Sequence, residues 1–152
     1  MGFFRQKKKL SSVGNGTIIP LEQVTDEVFS SKMMGEGYAL SQHDGRVYSP
    51  VEGTVVGIFP TLHAITLKSR TGESLLVHMG IDTVELGGKP FTMEVVEGQK
   101  VTAETLLAVM DLHQLESSQK DATIMVVLPD VKKGSLLKQN EPVTINQIVF
   151  EF

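Results

Sequence analysis

Cysteine is absent from this 152-residue chain, which removes disulfides, iron–sulfur clusters and thiolate zinc sites from consideration and leaves His, Asp and Glu as the only strong metal ligands. No run of about 18 apolar residues occurs and no apolar segment follows the basic N-terminus, so neither a transmembrane helix nor a secretory signal is expected. Together these absences point to a cytoplasmic protein. Acidic residues are missing from the first 12 positions, where Arg5, Lys7, Lys8 and Lys9 stand. With those four of the 14 basic residues set aside, 10 basic side chains face 18 acidic ones in the rest of the chain. Such an acidic body disfavours nucleic acid and suits a basic protein partner.

What is present divides into a tail and a domain. Residues 1–13 read as a flexible basic tail. Its Phe3, Phe4 and Leu10 beside cations suit weak, peripheral contact with an anionic membrane at its inner face. Residues 14–152 read as one domain, large enough to bury roughly two-thirds of its unfolded surface. Short β-like runs recur from residue 17 to the C-terminus, separated by Gly, Pro, Asn or Asp. That spacing predicts an all-β, compact antiparallel β-sandwich or barrel-sandwich of many short strands. One helical turn is expected within Glu22–Lys32 and a second around Leu112–Ser118.

The stretch Thr61 to Asp82, TLHAITLKSRTGESLLVHMGID, carries the chemistry. Ala64–Lys68 and Leu75–Met79 read as two strands of a hairpin joined through Ser69-Arg70-Thr71-Gly72. A two-residue loop pairs His63 with His78 and makes the imidazoles cross-strand neighbours. A three-residue loop with Gly72 in a left-handed bulge pairs position 63 with 79 and predicts rings on opposite faces. Both registers fit the residues. His43, before Asp44-Gly45, and His113, among Asp111, Gln114 and Glu116, read as ordinary surface residues.

Two neighbouring imidazoles have three uses. A neutral ring nitrogen can attack phosphorus while the second ring donates an N–H to the phosphoryl oxygens and a hydroxyl, here Thr61, holds that ring's tautomer. Two histidines also make half of a tetrahedral zinc shell, and no HxH or HExxH supplies the rest. General acid–base catalysis on a small substrate is the third use. The Glu-Gly turns in RVYSPVEGTVVGIF and TMEVVEGQKVTAETLLAVMDL resemble lipoyl and biotinyl carriers, but no lysine stands near Val109-Met110-Asp111.

Further strings narrow the choice. Phe59-Pro60-Thr61-Leu62-His63-Ala64, the run VHMGIDTVEL from Val77 to Leu86, and Val95 to Val101 resemble the IIA domain of glucose-type sugar phosphotransferase systems, as do Gly16-Thr17-Ile18, Asp26-Glu27-Val28-Phe29, Gly35 to Ala39 and Ser49 to Thr54. The resemblance runs through residues 14–152. It implies a β-sandwich and a phosphocarrier. His78 would be phosphorylated on Nε2, His63 would hydrogen-bond the phosphoryl group, and Thr61 would orient His63. The donor would be HPr, the histidine phosphocarrier protein, and the acceptor the IIB domain of a sugar permease, with regulatory proteins as further potential targets. An apolar docking surface would map to Phe29, Phe59, Leu76, Met79 and Val84, with Asp82 and Glu85 facing basic partner residues. No cofactor is required, although His63 and His78 could ligate zinc across a partner interface. The alternatives carried beside this reading are a histidine-liganded zinc hydrolase and a lipoyl- or biotinyl-type carrier.

Overall fold

The computed structural model describes residues 7–152. Fourteen short strands follow one another: β1 (Lys9–Ser11), β2 (Gly16–Ile19), β3 (Glu36–Ser41), β4 (Arg46–Tyr48), β5 (Gly53–Ile58), β6 (Ala64–Ser69) and β7 (Ser74–Met79). They continue as β8 (Phe91–Met93), β9 (Lys100–Val101), β10 (Leu106–Met110), β11 (Ile124–Leu128), β12 (Ser135–Leu136), β13 (Glu141–Val143) and β14 (Ile148–Glu151). All pairings are antiparallel. The largest sheet runs β13-β2-β3-β11-β7-β6-β5-β9, flanked by the three-stranded sheets β1-β14-β12 and β4-β10-β8. Helix is confined to α1 (Glu27–Ser30), α2 (Leu112–Ser117) and two 3-10 turns, Leu21–Gln23 and Thr83–Leu86. Among the described residues no helix is long and apolar enough to cross a membrane.

Period-two alternation sorts the large sheet into two faces. Leu75, Val77 and Met79 of β7, with Ile65, Leu67, Ile124 and Val126, turn into the main core. Leu76, Ala64, Met125, Val127 and Ala39 turn the other way, where Leu21, Val24 and Phe29 cover them in a second, smaller cluster. The segment carrying α1 therefore lies over the outer face of the sheet. Asp26 starts α1 as its N-cap, its carboxylate accepting the Val28 N–H at 2.9 Å, which satisfies one of the orphan donors of so short a helix.

Residues 8–13 belong to the folded domain rather than to a flexible tail. Leu10 and Val13 are fully buried, β1 pairs Leu10 with Phe150 of β14, and Lys8 exchanges backbone hydrogen bonds of 2.9 Å with Phe152. Apolar burial and a ladder at the chain's two ends outweigh the local excess of lysine. Leu10 is thus withdrawn from any membrane surface, and Phe3 and Phe4 lie outside the described residues.

Candidate functional site

His78 sits next to the end of β7, between β6 and β11, facing Ala64 on one side and Met125 on the other. Alternation puts it on the outer face with Leu76, and the methyl of Ala64 leaves room beside it. The Phe29 ring lies 4.9 Å from the imidazole, tilted by 58°. His78 is half-buried and His63 is buried.

The hairpin adopts the three-residue loop. Ala64 pairs with His78 and Lys68 with Ser74, Ser69 N–H donates to Glu73 O at 2.8 Å, and Gly72 takes φ +98°. Even so, the two histidine rings meet, with centroids 5.0 Å apart and planes at 78°. The expectation that this register separates the rings assumed a pleated strand at position 63. Instead β6 starts at Ala64, and the chain enters it from a tight turn in which Leu62 adopts φ +59° and donates its N–H to Phe59 O at 2.7 Å. Released from the pleat, His63 keeps its backbone bond to Met79 N–H, at 2.7 Å, while its ring swings over the outer face. Thr61 meets His63 through the same turn rather than along a strand, its Oγ1 2.6 Å from His63 Nδ1.

Hydrogen bonding assigns the ring nitrogens. A carbonyl only accepts, so His78 Nδ1 donates to Gly80 O at 2.9 Å and Nε2 carries the lone pair. That carbonyl is fixed by Gly80 at φ +82°, with Gly80 N–H bonded to Thr123 O (2.9 Å) and Ile81 N–H to Asp121 O (3.0 Å). Thr83 Oγ1 donates to Met79 O at 2.6 Å and closes the turn from below. The Thr61 hydroxyl, 2.6 Å from His63 Nδ1, can donate or accept there; where it donates, His63 presents Nε2–H.

Burial, reinforced by the neighbouring His63, lowers the His78 imidazole to about 4 against the opposing influence of the Gly80 carbonyl, Asp26 and Asp82. Burial also lowers His63. Both rings are neutral at physiological pH, the form in which one can be a nucleophile and the other a hydrogen-bond donor.

The docking residues expected from sequence divide by burial. Phe59 is 40% exposed, edge-on to His63 at 5.3 Å, and Val84 is 49% exposed. Asp82 and Glu85 are exposed, Glu85 bonded to Lys120 at 2.7 Å. Phe29 and Leu76 are buried but lie in the outer cluster directly around His78. Met79 is the correction: it is wholly inaccessible and packs in the main core, because alternation along β7 turns it away from His78. Sequence reasoning missed Asp26, whose charge acts on His78, and the exposed Val28 beside it. The Asp-Glu-Val-Phe string, an N-cap followed by an acidic first turn, was the available signal.

His43 is likewise not a surface residue. It is buried, with Nε2 2.6 Å from Ala122 O and Nδ1 accepting Gly45 N–H at 3.0 Å. Among the described residues no third His, Cys, Asp or Glu joins His63 and His78 in a group that could hold a metal.

A family model described as the phosphoenolpyruvate-dependent sugar phosphotransferase system, EIIA 1, matches residues 8–134. The chain is 47% identical over 120 residues to the glucose-specific EIICBA component of Streptococcus pneumoniae, an overlap of 79% of this chain and 16% of that protein. It is 39% identical over 125 residues to the glucose-specific EIIA component of Halalkalibacterium halodurans, covering 82% of this chain and 72% of that one. Among solved structures, glucose permease IIA from Mycoplasma capricolum matches with a TM-score of 0.85 and 33% identity over 99% of both chains. The chain spans only 16% and 22% of the EIICBA relative and of a β-glucoside-specific EIIBCA relative from Halalkalibacterium halodurans. The antiparallel sandwich around His63 and His78 and these matches place the chain in the glucose-type EIIA family of the sugar phosphotransferase system.

Proposed function

We propose that this chain is a cytoplasmic phosphocarrier that accepts a phosphoryl group from HPr on Nε2 of His78 and passes it to the IIB domain of a glucose-type sugar permease. The observation carrying this reading is the bond from His78 Nδ1 to Gly80 O, which leaves the Nε2 lone pair beside His63. In the step, Nε2 attacks phosphorus, a new N–P bond forms as the bond to the donor's imidazole breaks, and that imidazole leaves with the electron pair. His63 Nε2–H stabilises the phosphoryl oxygens, and Thr61 holds the tautomer that makes this donation available. Positioning and charge stabilisation are what phosphoryl transfer requires, so no cofactor is needed.

The surface around the rings suits brief docking. Phe59, Val84 and Val28 offer exposed apolar area, and Asp26 and Asp82 offer charge to a basic partner. In the EIICBA and EIIBCA relatives an A unit shares its chain with B and C units, which supports a IIB acceptor. Zinc held by His63, His78 and a partner's carboxylate is the metal chemistry that two ligands on one side of an interface would support. Neither the zinc hydrolase nor the lipoyl-type carrier is favoured by any feature of the site.

The test is phosphoryl transfer from phosphoenolpyruvate through enzyme I and HPr, read by intact mass. Wild type gains one acid-labile phosphoryl group of about 80 Da, and His78→Gln does not. His63→Gln accepts the group but passes it on poorly. No gain on wild type, with HPr shown to be phosphorylated, overturns the reading.

A further inference from the structure

The end of the molecule opposite the histidines is unlike the rest of its surface. Strands β6 and β7 carry the chain from the imidazoles to the Arg70-Thr71-Gly72 loop, six residues each, or about 20 Å. Around that loop lie two adjoining hollows of about 440 and 630 Å³. They share Lys7, Lys8, Glu73 and Phe152. Lys9 and Arg70 line the first and Lys132 and Lys133 the second. Six cations thus converge, against the carboxylates of Glu52, Glu73 and Asp130, on a chain whose net charge is -4.

The carboxylates are largely engaged in building this end. Glu73 is the organiser: its side chain accepts hydrogen bonds from Ser69 Oγ at 2.7 Å, from Thr71 and from Lys8. Burial raises its carboxyl, but those three bonds prevail and hold it at about 2. It stays ionised and ties the N-terminal segment to the hairpin loop. Glu52 holds Arg70 at 3.5 Å. The ion pairs among the described residues engage Lys8 and Arg70 here and leave Lys7, Lys9, Lys132 and Lys133 without one. Phe152, Val51 and Val131 supply an apolar wall behind them.

We propose that this groove binds a phosphate-bearing anion, at a site separate from the phosphorylated histidine. Lysines clustered over a concave, partly apolar floor recognise phosphate as point charges, and the chemistry is shared by a phospholipid headgroup and a free phosphate. Loading the groove leaves the face of His63 and His78 open, because the two lie at opposite ends of the same strands.

The experiment uses the full chain, a variant carrying Lys132→Glu and Lys133→Glu, and a variant lacking residues 1–6. Inorganic phosphate is titrated while backbone amides are followed by NMR, and vesicles of phosphatidylcholine with or without phosphatidylglycerol are tested by co-sedimentation. Phosphate-induced shifts at Arg70, Lys132 and Lys133, lost in the double variant, assign a free phosphate. Binding to the phosphatidylglycerol vesicles that weakens roughly tenfold or more in the double variant, and survives removal of residues 1–6, assigns the lipid headgroup. Absence of both effects overturns the proposal, as does vesicle binding that ignores the double variant and disappears with residues 1–6. Phosphorylation of His78 by HPr, measured on the same double variant, stays at the wild-type level, so the outcome is independent of the carrier reading.

Discussion

His78 donates its Nδ1 proton to the carbonyl of Gly80, two residues along the chain and 2.9 Å away. The tautomer of His78 is therefore set by the backbone of its own strand end. Gly80 can offer that carbonyl only at φ +82°, where a Cβ would meet Asp121 O at 2.9 Å and crowd the Thr83 methyl more closely still. Gly80→Ala is expected to cost roughly 1–3 kcal/mol of stability and to move the carbonyl off Nδ1. Denaturant unfolding reads the first effect. The second appears in the imidazole 15N shifts of His78, as mixed tautomers, and as slower phosphoryl acceptance. A wild-type tautomer signature in this variant would show that the carbonyl is not what orients the ring.

The same burial that keeps His78 neutral makes its behaviour depend on pH in a defined direction. A free histidine titrates near about 6.5, whereas His78 in the fold titrates at about 4, with burial first and His63 second among the causes. The folded state thus binds fewer protons than the unfolded state between those values. Stability is whole above about 6.5, falls as pH drops towards 4, and loses nothing more from this ring below it. His43 and His63, both lowered by burial, act in the same direction. Phosphoryl acceptance should be flat through neutrality and decline only as Nε2 protonates. Titration of the ring protons by NMR, with a midpoint near 6.5 for His78, would contradict this account.

Thr61 tests the second imidazole. Its hydroxyl lies 2.6 Å from His63 Nδ1, so Thr61→Val removes the group proposed to hold the Nε2–H tautomer while keeping the side chain's shape. Onward transfer to a IIB domain should slow on the order of a hundredfold, the lower end of what one hydrogen-bond donor to transition-state oxygens contributes. Acceptance on His78 changes less. Thr61→Ser restores the rate because it restores the hydroxyl. A Val variant that transfers as wild type assigns the tautomer to another group.

Much of this architecture is readable from residues because it rests on local chemistry. The β-branched and aliphatic runs Ala64–Lys68 and Leu75–Met79 become β6 and β7 within a residue, and the helical turn expected around Leu112–Ser118 becomes α2. Three features escape such reading for separate reasons. Leucine has no preference for a left-handed backbone, so nothing announces that Leu62 at φ +59° delivers His63 to His78. In β1 the partner lies some 140 positions away, Leu10 against Phe150, and three adjacent lysines dominate the local pattern. For His43, the neighbouring Asp44-Gly45 turn signals a surface, while the carbonyl of Ala122 that buries it is a tertiary contact.

Met79 and Phe59 separate docking from packing. Both are apolar residues within four positions of a histidine, and the resemblance to glucose-type IIA domains assigns both to the partner surface. Met79 is sealed in the main core, whereas Phe59 is 40% exposed and packs edge-on against His63. Truncating Met79 removes buried methylenes and opens a cavity, so Met79→Ala should lower stability by roughly 2–5 kcal/mol while leaving the KM for phosphorylated HPr unchanged in the folded fraction. Phe59→Ala should do the reverse. Its stability loss is small because much of the ring is already in water. The KM for HPr rises by about tenfold or more, the effect expected where an aromatic anchor is removed from a docking patch. Chemical denaturation and transfer kinetics on the two variants give four values, and a Met79→Ala protein with normal stability but weakened HPr recognition would return that residue to the docking surface.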